Sequence, residues 1–388
     1  MSSVAGQWGD SGLAHLTGLP DGPPDFSRAN VLSRAAEITA DAATLLAGRA
    51  GLLGLTRGGR VSAGGATRLL RARDGWCAIT LSRPDDVAAV PAVLQVDDAP
   101  KEPDDPWGAL TVWAANRLTG EIVERTGLLD IPAAALGEAA AAPPRIRPIS
   151  SPAPVPGLAG LLVADLSSMW AGPLCGHLLA RAGATVVKVE SPRRPDGTRT
   201  GDRAFFDWIN GEKLSYCIDF DSQADQLRQL LMVADVVIEG SRPAALARRR
   251  LGPDHLAPRD GRIWLRITGY DDDSGRPAFG DDAAVAGGLV GTSVDGPVFC
   301  GDAIADPLTG LEATRAVTDS LHRGGGELIQ VAMSAVAANY AELPTTEPVS
   351  AHPAPPPRRP HVTKPGPETG ADNDTVLHLV SERRCLSC

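Results

Sequence analysis

The stretch that decides the fold is residues 161–199, LLVADLSSMWAGPLCGHLLARAGATVVKVESPRRPDGTR. It begins with an apolar run, Leu161–Leu166, of the kind that forms a buried strand. Apolar residues then recur at helical spacing from Trp170 to Ala182, and Gly183 ends that pattern. The next run, Thr185–Glu190, is rich in β-branched residues. The order strand, helix, strand predicts a βαβ unit, which joins two parallel strands.

The composition is that of a large globular chain. With 388 residues, of which 43% are hydrophobic and 22% charged, the chain can bury a full core and divide into two domains. No window approaches the roughly 18 uninterrupted apolar residues of a membrane-spanning helix. The N-terminus lacks the basic and apolar regions of a signal peptide. We therefore expect a cytoplasmic protein without a membrane partner.

Charge and cysteine content narrow the function further. The net charge of −10 disfavours nucleic acid as a partner, although local basic clusters can still hold a phosphorylated ligand. Six scattered cysteines indicate reduced thiols rather than a disulfide framework. Cys385 and Cys388 form a C-x-x-C without a second pair or a nearby histidine, so we expect a frayed tail and no metal site, with a redox role as the weaker alternative.

Two proline-rich stretches divide the sequence. They are Ala139–Pro156 and Pro344–Pro367, and both hold too much proline to continue a helix or a central strand. They predict four parts. Residues 1–138 form a region that is similar to a small domain and includes a degenerate copy of part of the large domain. Residues 139–157 form a linker, and residues 158–343 form the large domain. Residues 344–388 form a proline-rich linker followed by a tail segment.

Strand and helix patterns alternate between these stretches. After the βαβ unit, strands are expected at Ser215–Phe220, Asp235–Glu239 and Ile263–Thr268, and helices at Gln223–Val233, Ala244–Arg250 and Pro307–His322. Such alternation predicts an α/β fold with a mainly parallel sheet covered by helices. A dinucleotide-binding domain is disfavoured because the first turn, Ser167–Gly172, has no G-x-G-x-x-G.

Motifs along this region resemble those of the family III CoA-transferases (the CaiB/BaiF type), which include formyl-CoA transferase and α-methylacyl-CoA racemase. The first motif is D-L-S-x-x-x-A-G-P at 165–173, followed by G-A-x-V-V-K-V-E-x-P and D-G-T-R. Further matches are NGEKLSYCIDF at 210–220, ADVVIEGSRPAAL at 234–246, IWLRITGY at 263–270, FGDDAAVAGGL at 279–289, GDAIADPLTGL at 301–311, GELIQVAM at 326–333 and GADNDTVL at 370–377. The resemblance implies a Rossmann-like large domain with a mainly parallel sheet and a smaller α+β domain.

The order of the matching parts differs from that of the family. Residues 60–81 and 109–134 resemble the family's small domain, which there follows the large domain and here precedes it. The chain therefore resembles a circular permutation or a truncated tandem copy. In addition, residues 12–36 resemble residues 288–313, with Leu32 or Ser33 at the position of an aspartate, so we expect one active site per chain.

The resemblance implies that Asp306 is the catalytic nucleophile. In the family, this aspartate attacks an acyl-CoA thioester and carries the acyl group and then CoA as covalent intermediates. Backbone N–H donors for the oxyanions are expected from Gly301, Ala303 and Ala305 or from the glycine loop at 58–65. Taken alone, an aspartate before Pro307 is more often a helix N-cap.

The resemblance also implies a set of CoA contacts. Arg242 and Arg248 are the most persuasive, because guanidinium groups bind phosphates well. Asp221 and Phe279 replace lysines that contact CoA in formyl-CoA transferase, and Ser191 replaces an arginine. The basic residues Arg193, Arg194 and Arg199 are candidates to compensate. The full set of expected contacts is Met169, Trp170, Ala171, Ile218, Asp221, Gly240, Ser241, Arg242, Arg248, Asp281 and Asp282.

Three functions remain open at this point. The resemblance favours transfer of CoA between an acyl-CoA thioester and a small carboxylic acid. Family racemases carry a histidine where this chain has Asp281, and none of the seven histidines lies in that motif, so racemisation comes second. The altered order and missing basic contacts suggest a third hypothesis, a non-catalytic binding or structural partner. The family's interlocked dimers predict a homodimer, and with CoA and acyl-CoA as substrates, no tightly bound cofactor is expected.

Overall fold

The computed structural model describes residues 3–95, 105–154, 157–240, 243–271, 275–346 and 352–386. Within these residues the strands are β1 (Thr67–Arg71), β2 (Trp76–Thr80), β3 (Ala133–Ala135), β4 (Arg145–Pro148), β5 (Leu162–Asp165), β6 (Thr185–Glu190), β7 (Leu214–Cys217), β8 (Val236–Glu239), β9 (Ile263–Thr268), β10 (Gly291–Ser293), β11 (Gly296–Val298) and β12 (Glu327–Ala332).

The α-helices of the same residues are α1 (Val4–Asp10), α2 (Ala29–Ala36), α3 (Ala42–Leu53), α4 (Pro84–Ala88), α5 (Val90–Leu94), α6 (Pro106–Ala115), α7 (Thr119–Gly127), α8 (Ala171–Arg181), α9 (Arg203–Asn210), α10 (Ala224–Val233), α11 (Pro243–Arg248), α12 (Gly280–Ala286), α13 (Ala305–His322), α14 (Met333–Ala341) and α15 (Asn373–Leu386). No helix in this described part of the chain has the length and apolar character needed to cross a membrane.

The chain forms two compact units, each assembled from three segments. Unit 1 comprises Met1–Ala142, Gly269–Leu308 and Met333–Arg359, and unit 2 comprises Pro143–Thr268, Thr309–Ala332 and Pro360–Cys388. The structure thus divides the chain differently from the linear order of parts expected above. Residues 269–308 and 333–343, assigned there to the large domain, group with the N-terminal region.

Unit 2 is built on a sheet that, within the described residues, has the strand order β4-β12-β9-β8-β5-β6-β7. All neighbouring strands run parallel except β4, which pairs antiparallel with β12 at one edge. The strand order reverses between β5 and β8, as in doubly wound folds. The predicted α/β fold with a mainly parallel sheet is confirmed.

The βαβ unit follows from the residues that form it. All of β5 is buried, and α8 buries its apolar face, including Leu174 and Leu179. β6 spans the residues expected of it, and its register places Leu162 opposite Thr185 and Asp165 opposite Lys188. Two charged residues of opposite sign therefore lie side by side on neighbouring buried strands.

The first proline-rich stretch is not only a linker, because β4 lies within it. Arg145–Pro148 pairs with β12 through residues 327–330. Proline lacks a backbone donor, so it is tolerated at a sheet edge but not in a central strand. The expectation of a linker at 139–157 was therefore wrong for residues 145–148, which form an edge strand.

The second proline-rich stretch packs closely on folded parts of the chain. In unit 1, Pro353 and Pro357 lie against Gly9 and Gly12 so closely that an added Cβ would overlap them. In unit 2, Gly366 lies against the Phe206 ring. Residues 347–351 fall outside the described part. Most of the expected linker at 344–367 is therefore ordered against its neighbours.

Unit 1 contains a three-stranded antiparallel sheet in the order β1-β2-β3. One core cluster joins this sheet to α6 and α7 and includes Ile79, Trp107, Leu110 and Ile122. A second cluster comprises Leu69, Ala78, Val285, Val290 and Phe299. Apolar contacts therefore attach the segment around α12 to the antiparallel sheet.

Candidate functional site

Asp306 lies in the first turn of α13 and is half-buried. Its Oδ2 accepts a hydrogen bond of 3.1 Å from the backbone N–H of Gly280, the first residue of α12. Its own N–H donates to the carbonyl oxygen of Ala303 at 2.9 Å. Because α13 begins at Ala305, Asp306 is not the N-cap of its own helix. The carboxylate instead occupies the N-terminal end of a neighbouring helix.

Gly280 makes this approach possible because it has no side chain. A Cβ added there would come within 2.3 Å of the Ala303 carbonyl oxygen and 2.5 Å of Asp306 Oδ2. Both distances are too short for any side chain to tolerate without movement. Gly280 therefore allows the close approach of α12 to the turn that precedes Asp306.

A strained turn at residues 301–304 precedes Asp306. Ala303 has a φ of 43°, and its N–H donates to Asp281 Oδ1 at 3.0 Å. The Gly301 N–H donates to the Thr17 hydroxyl, also at 3.0 Å. Both N–H groups therefore have internal acceptors, and oxyanion binding by Gly301 and Ala303 stays a prediction that would require these bonds to open. Left-handed backbone at a non-glycine residue persists only when its surroundings hold it.

Four carboxylates of unit 1 have an unfavourable environment for charge. Burial raises the pKa of Asp306 to about 7 and that of Asp282 to about 7. Burial and the neighbouring charge of Asp302 raise the pKa of Asp281 to about 6. Burial also raises the pKa of Asp302. The Arg49 guanidinium opposes this for Asp281, Asp302 and Asp306 and forms a 2.6 Å ion pair with Asp302.

Arg49 and Asp302 were not singled out from the sequence. Arg49 lies on α3, and the two residues are separated by 253 positions. Arg49 lies in a helix rich in alanine and leucine, and the sequence pattern there predicts that an arginine lies at the surface. The sequence therefore contains no local signal that would place this arginine beside the nucleophile candidate.

The expected CoA contacts Asp281 and Asp282 lie beside Asp306 but serve the fold in different ways. Asp281 is half-buried and fixes the Ala303 N–H. Asp282 is fully buried and accepts hydrogen bonds from the Thr80 hydroxyl and the Phe279 N–H. Its carboxylate therefore caps α12. A CoA contact through the Asp282 side chain stays a prediction and would require these bonds to open.

The expected contacts Met169, Trp170 and Ala171 lie in unit 2, in the turn between β5 and α8. Met169 is 40% exposed and has a φ of 73°. Its N–H donates to Asp196 Oδ1 at 3.2 Å. Trp170 is buried edge-on against Phe205, and Ala171 begins α8. This turn follows the strand at which the sheet order reverses, where ligands of α/β proteins commonly bind.

Gly240 follows β8 and meets the same turn. A Cβ at Gly240 would lie 3.1 Å from the Ser167 Cβ, so only glycine fits there without displacing its neighbour. Ser241 and Arg242 lie outside the described residues. Arg248 is exposed at the end of α11. Gly240 and the Met169 turn therefore stand together at the carboxyl edge of β5 and β8.

Two further expected contacts are already engaged within unit 2. Ile218 is 1% exposed and belongs to the main core cluster. Asp221 forms a 2.7 Å ion pair with Arg249. A CoA contact through the Ile218 side chain or the Asp221 carboxylate stays a prediction.

A buried network of charges supports the Met169 turn. Lys188 Nζ donates to Asp196 Oδ2 at 2.5 Å and to the Ser167 carbonyl oxygen at 2.6 Å. Lys213 Nζ donates to Asp165 Oδ2 at 2.8 Å. All four charged side chains are fully buried. Although burial opposes ionisation, Lys213 and Lys188 hold the pKa of Asp165 below its ordinary value.

The basic loop after β6 is also tied to this network. Arg199 makes a bidentate contact with Glu190, and Glu190 Oε1 accepts the Asp196 N–H at 2.9 Å. Arg199 is therefore largely committed to an internal ion pair. Arg193 pairs with Asp219 and is mainly exposed. In the described residues, no group of three histidine, cysteine or acidic side chains is placed to hold a metal ion.

The parallel sheet, its motifs and the carboxylate at the start of α13 agree with one known family. The model of that family, CoA-transferase family III, matches residues 158–368. This is more than half of the chain. The chain therefore belongs to CoA-transferase family III.

Several characterised or named relatives are CoA-transferases. The chain is 31% identical over 214 residues to succinate–glutarate CoA-transferase of Agrobacterium fabrum, covering 47% of this chain and 54% of that protein. It is 34% identical over 197 residues to the beta subunit of succinyl-CoA–L-malate CoA-transferase of Chloroflexus aurantiacus, covering 45% and 49%. The chain thus spans about half the length of the curated relatives it matches.

A solved structure is similar over a comparable span. A hypothetical protein of Mycobacterium tuberculosis matches at 31% identity with a TM-score of 0.43, covering 49% of this chain and 57% of that one.

Proposed function

We propose that the protein transfers CoA between an acyl-CoA thioester and a carboxylic acid, with Asp306 as the nucleophile. The observation that supports this proposal is the burial and hydrogen bonding of the Asp306 carboxylate. Asp306 is half-buried, and among the described residues its Oδ2 alone accepts a hydrogen bond, from the Gly280 N–H. Oδ1 is therefore the oxygen available for attack.

The proposed reaction proceeds by four acyl substitutions at three carbonyl carbons, those of the donor, of Asp306 and of the acceptor. Asp306 Oδ1 attacks the thioester carbon, the C–S bond breaks, and CoA thiolate leaves a mixed anhydride on the enzyme. The thiolate then attacks the Asp306 side-chain carbon and releases the acyl group as a carboxylate. The acceptor carboxylate attacks the resulting aspartyl thioester and again expels the thiolate. Thiolate attack on the acceptor's acyl carbon forms the new thioester and restores Asp306.

The residues around Asp306 assist by position and charge. The Gly280 N–H holds Oδ2, so the side chain keeps one rotamer and does not have to be ordered during attack. Asp281 holds the turn that carries Asp306 through the Ala303 N–H. Burial disfavours the ionised form of Asp306 and of the carboxylates beside it. The positive charge of Arg49 opposes that effect.

Racemisation at the carbon beside a thioester is the second candidate. It requires an acid and a base on opposite faces of that carbon, and Asp281 is one candidate, because burial and Asp302 raise its pKa to about 6. A group with such a pKa can exchange protons near neutral pH. A racemase would exchange the α-hydrogen of an acyl-CoA for solvent deuterium without a covalent adduct.

The test is covalent trapping on the wild-type protein. Succinyl-CoA with glutarate or L-malate is the first substrate set to try, because the relatives named above act on these compounds. We expect hydroxylamine or borohydride to modify the peptide that contains Asp306. Deuterium exchange without an adduct would support the racemase instead. Absence of adduct, exchange and CoA binding would support a non-catalytic partner.

CoA binding is proposed to involve the turn at Met169, Trp170 and Ala171, the residues Gly240, Ser241 and Arg242 after β8, and Arg248. We expect Arg248→Ala to weaken CoA binding by about tenfold or more and to reduce its salt dependence, because a charge-assisted contact to phosphate is lost. Calorimetric titration measures both. Arg250→Ala is the matched control, since Arg250 is equally exposed but outside the expected contact set. Equal losses in the two variants would contradict a specific role for Arg248.

The remaining expectations are proposals of the same kind. We propose a cytoplasmic homodimer that binds acyl-CoA and a small carboxylic acid as substrates and retains no tightly bound cofactor. The family's paired subunits support the dimer, and light scattering at micromolar concentrations measures it. A mass near 40.3 kDa would contradict it.

A further inference from the structure

Arg49 stands where a single cation acts on several buried carboxylates. Its Nη1 donates to Asp302 Oδ1 at 2.6 Å, and its side chain is 24% exposed while that of Asp302 is fully buried. The glycine loop lies against the pair, since a Cβ at Gly64 would be 3.5 Å from Arg49 Nη2 and 3.9 Å from Asp302 Oδ1. The guanidinium is therefore confined between α3, this loop and the turn at 301–304.

The charged groups that face Asp306 come from three elements. Asp281 lies on α12, Asp302 on the turn at 301–304, and Arg49 on α3. The charge of Asp281 in turn raises the pKa of Asp282, its neighbour on α12. The two aspartates that act on Asp306 disfavour its ionisation, as does burial, whereas Arg49 favours it. Of these neighbouring charges, Arg49 has the largest effect on Asp306.

Asp302 holds the Arg49 side chain in position. One oxygen binds Arg49, and the other is buried without a hydrogen-bond partner in the described part of the protein. A fully buried carboxylate with an unsatisfied oxygen is costly to keep. Its one described side-chain hydrogen bond holds the arginine in place.

We propose that Arg49, anchored by Asp302, is the positioning residue that favours the ionised form of Asp306 for nucleophilic attack. This rests on the proposed role of Asp306 as the nucleophile. Only the carboxylate form attacks a thioester, and the protonated acid does not. A fixed cation in a partly buried site stabilises that form more strongly than an exposed one would, because solvent screens it less.

The experiment measures the titration of Asp306 directly and without substrate. Protein labelled with ¹³C at the aspartate side-chain carboxyl is titrated by NMR, and the Asp306 signal is assigned by its absence in Asp306→Asn. We expect Arg49→Gln to move the midpoint upward by about one pKa unit, a tenfold loss of ionised fraction at a fixed pH below the midpoint. Arg49→Lys, which keeps the charge, should titrate close to the wild-type protein.

A second variant keeps the test valid if Arg49→Gln fails to fold. The double variant Arg49→Gln/Asp302→Asn removes the buried pair together and leaves no unpaired charge. Its midpoint should still rise, because Arg49 acts on Asp306 more strongly than Asp302 does. The acidic limb of the pH profile of kcat/KM should shift by the same amount, which a merely structural role would not produce.

The outcomes separate the two proposals. An unchanged midpoint in folded Arg49→Gln or in the double variant overturns the role of Arg49, even where wild-type protein forms the covalent adduct. A raised midpoint together with absence of any adduct supports the role of Arg49 in ionising Asp306 and overturns the nucleophile assignment.

Discussion

Replacing Asp306 with asparagine is expected to abolish CoA transfer and, at the same time, to stabilise the protein at alkaline pH. Asparagine keeps the volume and can still accept the Gly280 N–H, but its amide cannot form the anhydride. We expect turnover to fall roughly a thousandfold or more and the trapped adduct to disappear. Initial rates and mass spectrometry of the Asp306 peptide measure this. Retention of full transfer activity would show that Asp306 is not the nucleophile.

The change in stability has a definite sign. The pKa of Asp306 lies at about 7, above its ordinary value of 3.8, so between these values the native state holds a proton that the unfolded state releases. This group's contribution to the unfolding free energy of the wild-type protein therefore falls as the pH rises from about 4 to 7 and is lowest above pH 7. Asparagine has no such dependence. At pH 8 the variant should be more stable by about 1–2 kcal/mol, allowing for partial exposure.

Urea unfolding at pH 5 and pH 8 tests this expectation. At pH 5 the Asp306 carboxyl is largely protonated in the native state but ionised in the unfolded state, so the variant should already be more stable, by less than at pH 8. Asp319→Asn, an exposed position on the same helix, is the control and should be neutral at both pH values. A gain in stability that is equal at both pH values would show that charge at Asp306 is not its cause.

Replacing Lys213 with methionine is expected to be the most destabilising of the changes considered. Lys213 and Asp165 are both fully buried, and their ion pair of 2.8 Å stands beneath the turn that begins at Ser167. Methionine fills similar space but leaves the Asp165 carboxylate without its charged partner. Removal of one member of a buried pair typically costs about 3–5 kcal/mol. The free energy of unfolding in urea measures the loss.

An exposed pair in the same unit provides the control. Lys364 and Glu212 are 3.5 Å apart, and their side chains are 54% and 39% exposed. Lys364→Met should cost at most about 1 kcal/mol. The double variant Asp165→Asn/Lys213→Met should recover part of the stability, because it leaves no buried charge. If Lys213→Met costs no more than Lys364→Met, the buried pair does not stabilise unit 2.

The sequence predicts the parallel sheet well because the signals there are local. Thr185–Glu190 and Ile263–Thr268 are strands over the full predicted range, and the helix predicted from Gln223 begins one residue later. Each of these elements is defined by apolar periodicity within a few residues of itself. The strand at Arg145–Pro148 is not predicted in this way. Its own composition does not indicate a strand, and it becomes one because it pairs with β12.

Only those residues of the candidate site that stand in recognisable motifs could be predicted from the sequence. Asp306 and the pair Asp281-Asp282 stand in matched motifs, and the structure brings all three together in unit 1. Arg49 and Asp302 are joined by tertiary structure across 253 positions, which no local pattern records. The acceptors of the Gly301 and Ala303 N–H groups, Thr17 and Asp281, lie on other segments of the chain, so small side chains alone do not indicate whether these N–H groups have partners.

The interrupted make-up of unit 1 has a consequence for synthesis on the ribosome. Residues 1–142 emerge well before residues 269–308 and 333–359, which complete the unit. Until then Leu69 and Ala78 lack the cover of Val285, Val290 and Phe299. Domains generally fold as units during translation, and exposed apolar surface makes incomplete ones prone to aggregation. We therefore expect a nascent chain that stalls before residue 285 to expose this apolar surface, which favours binding by chaperones.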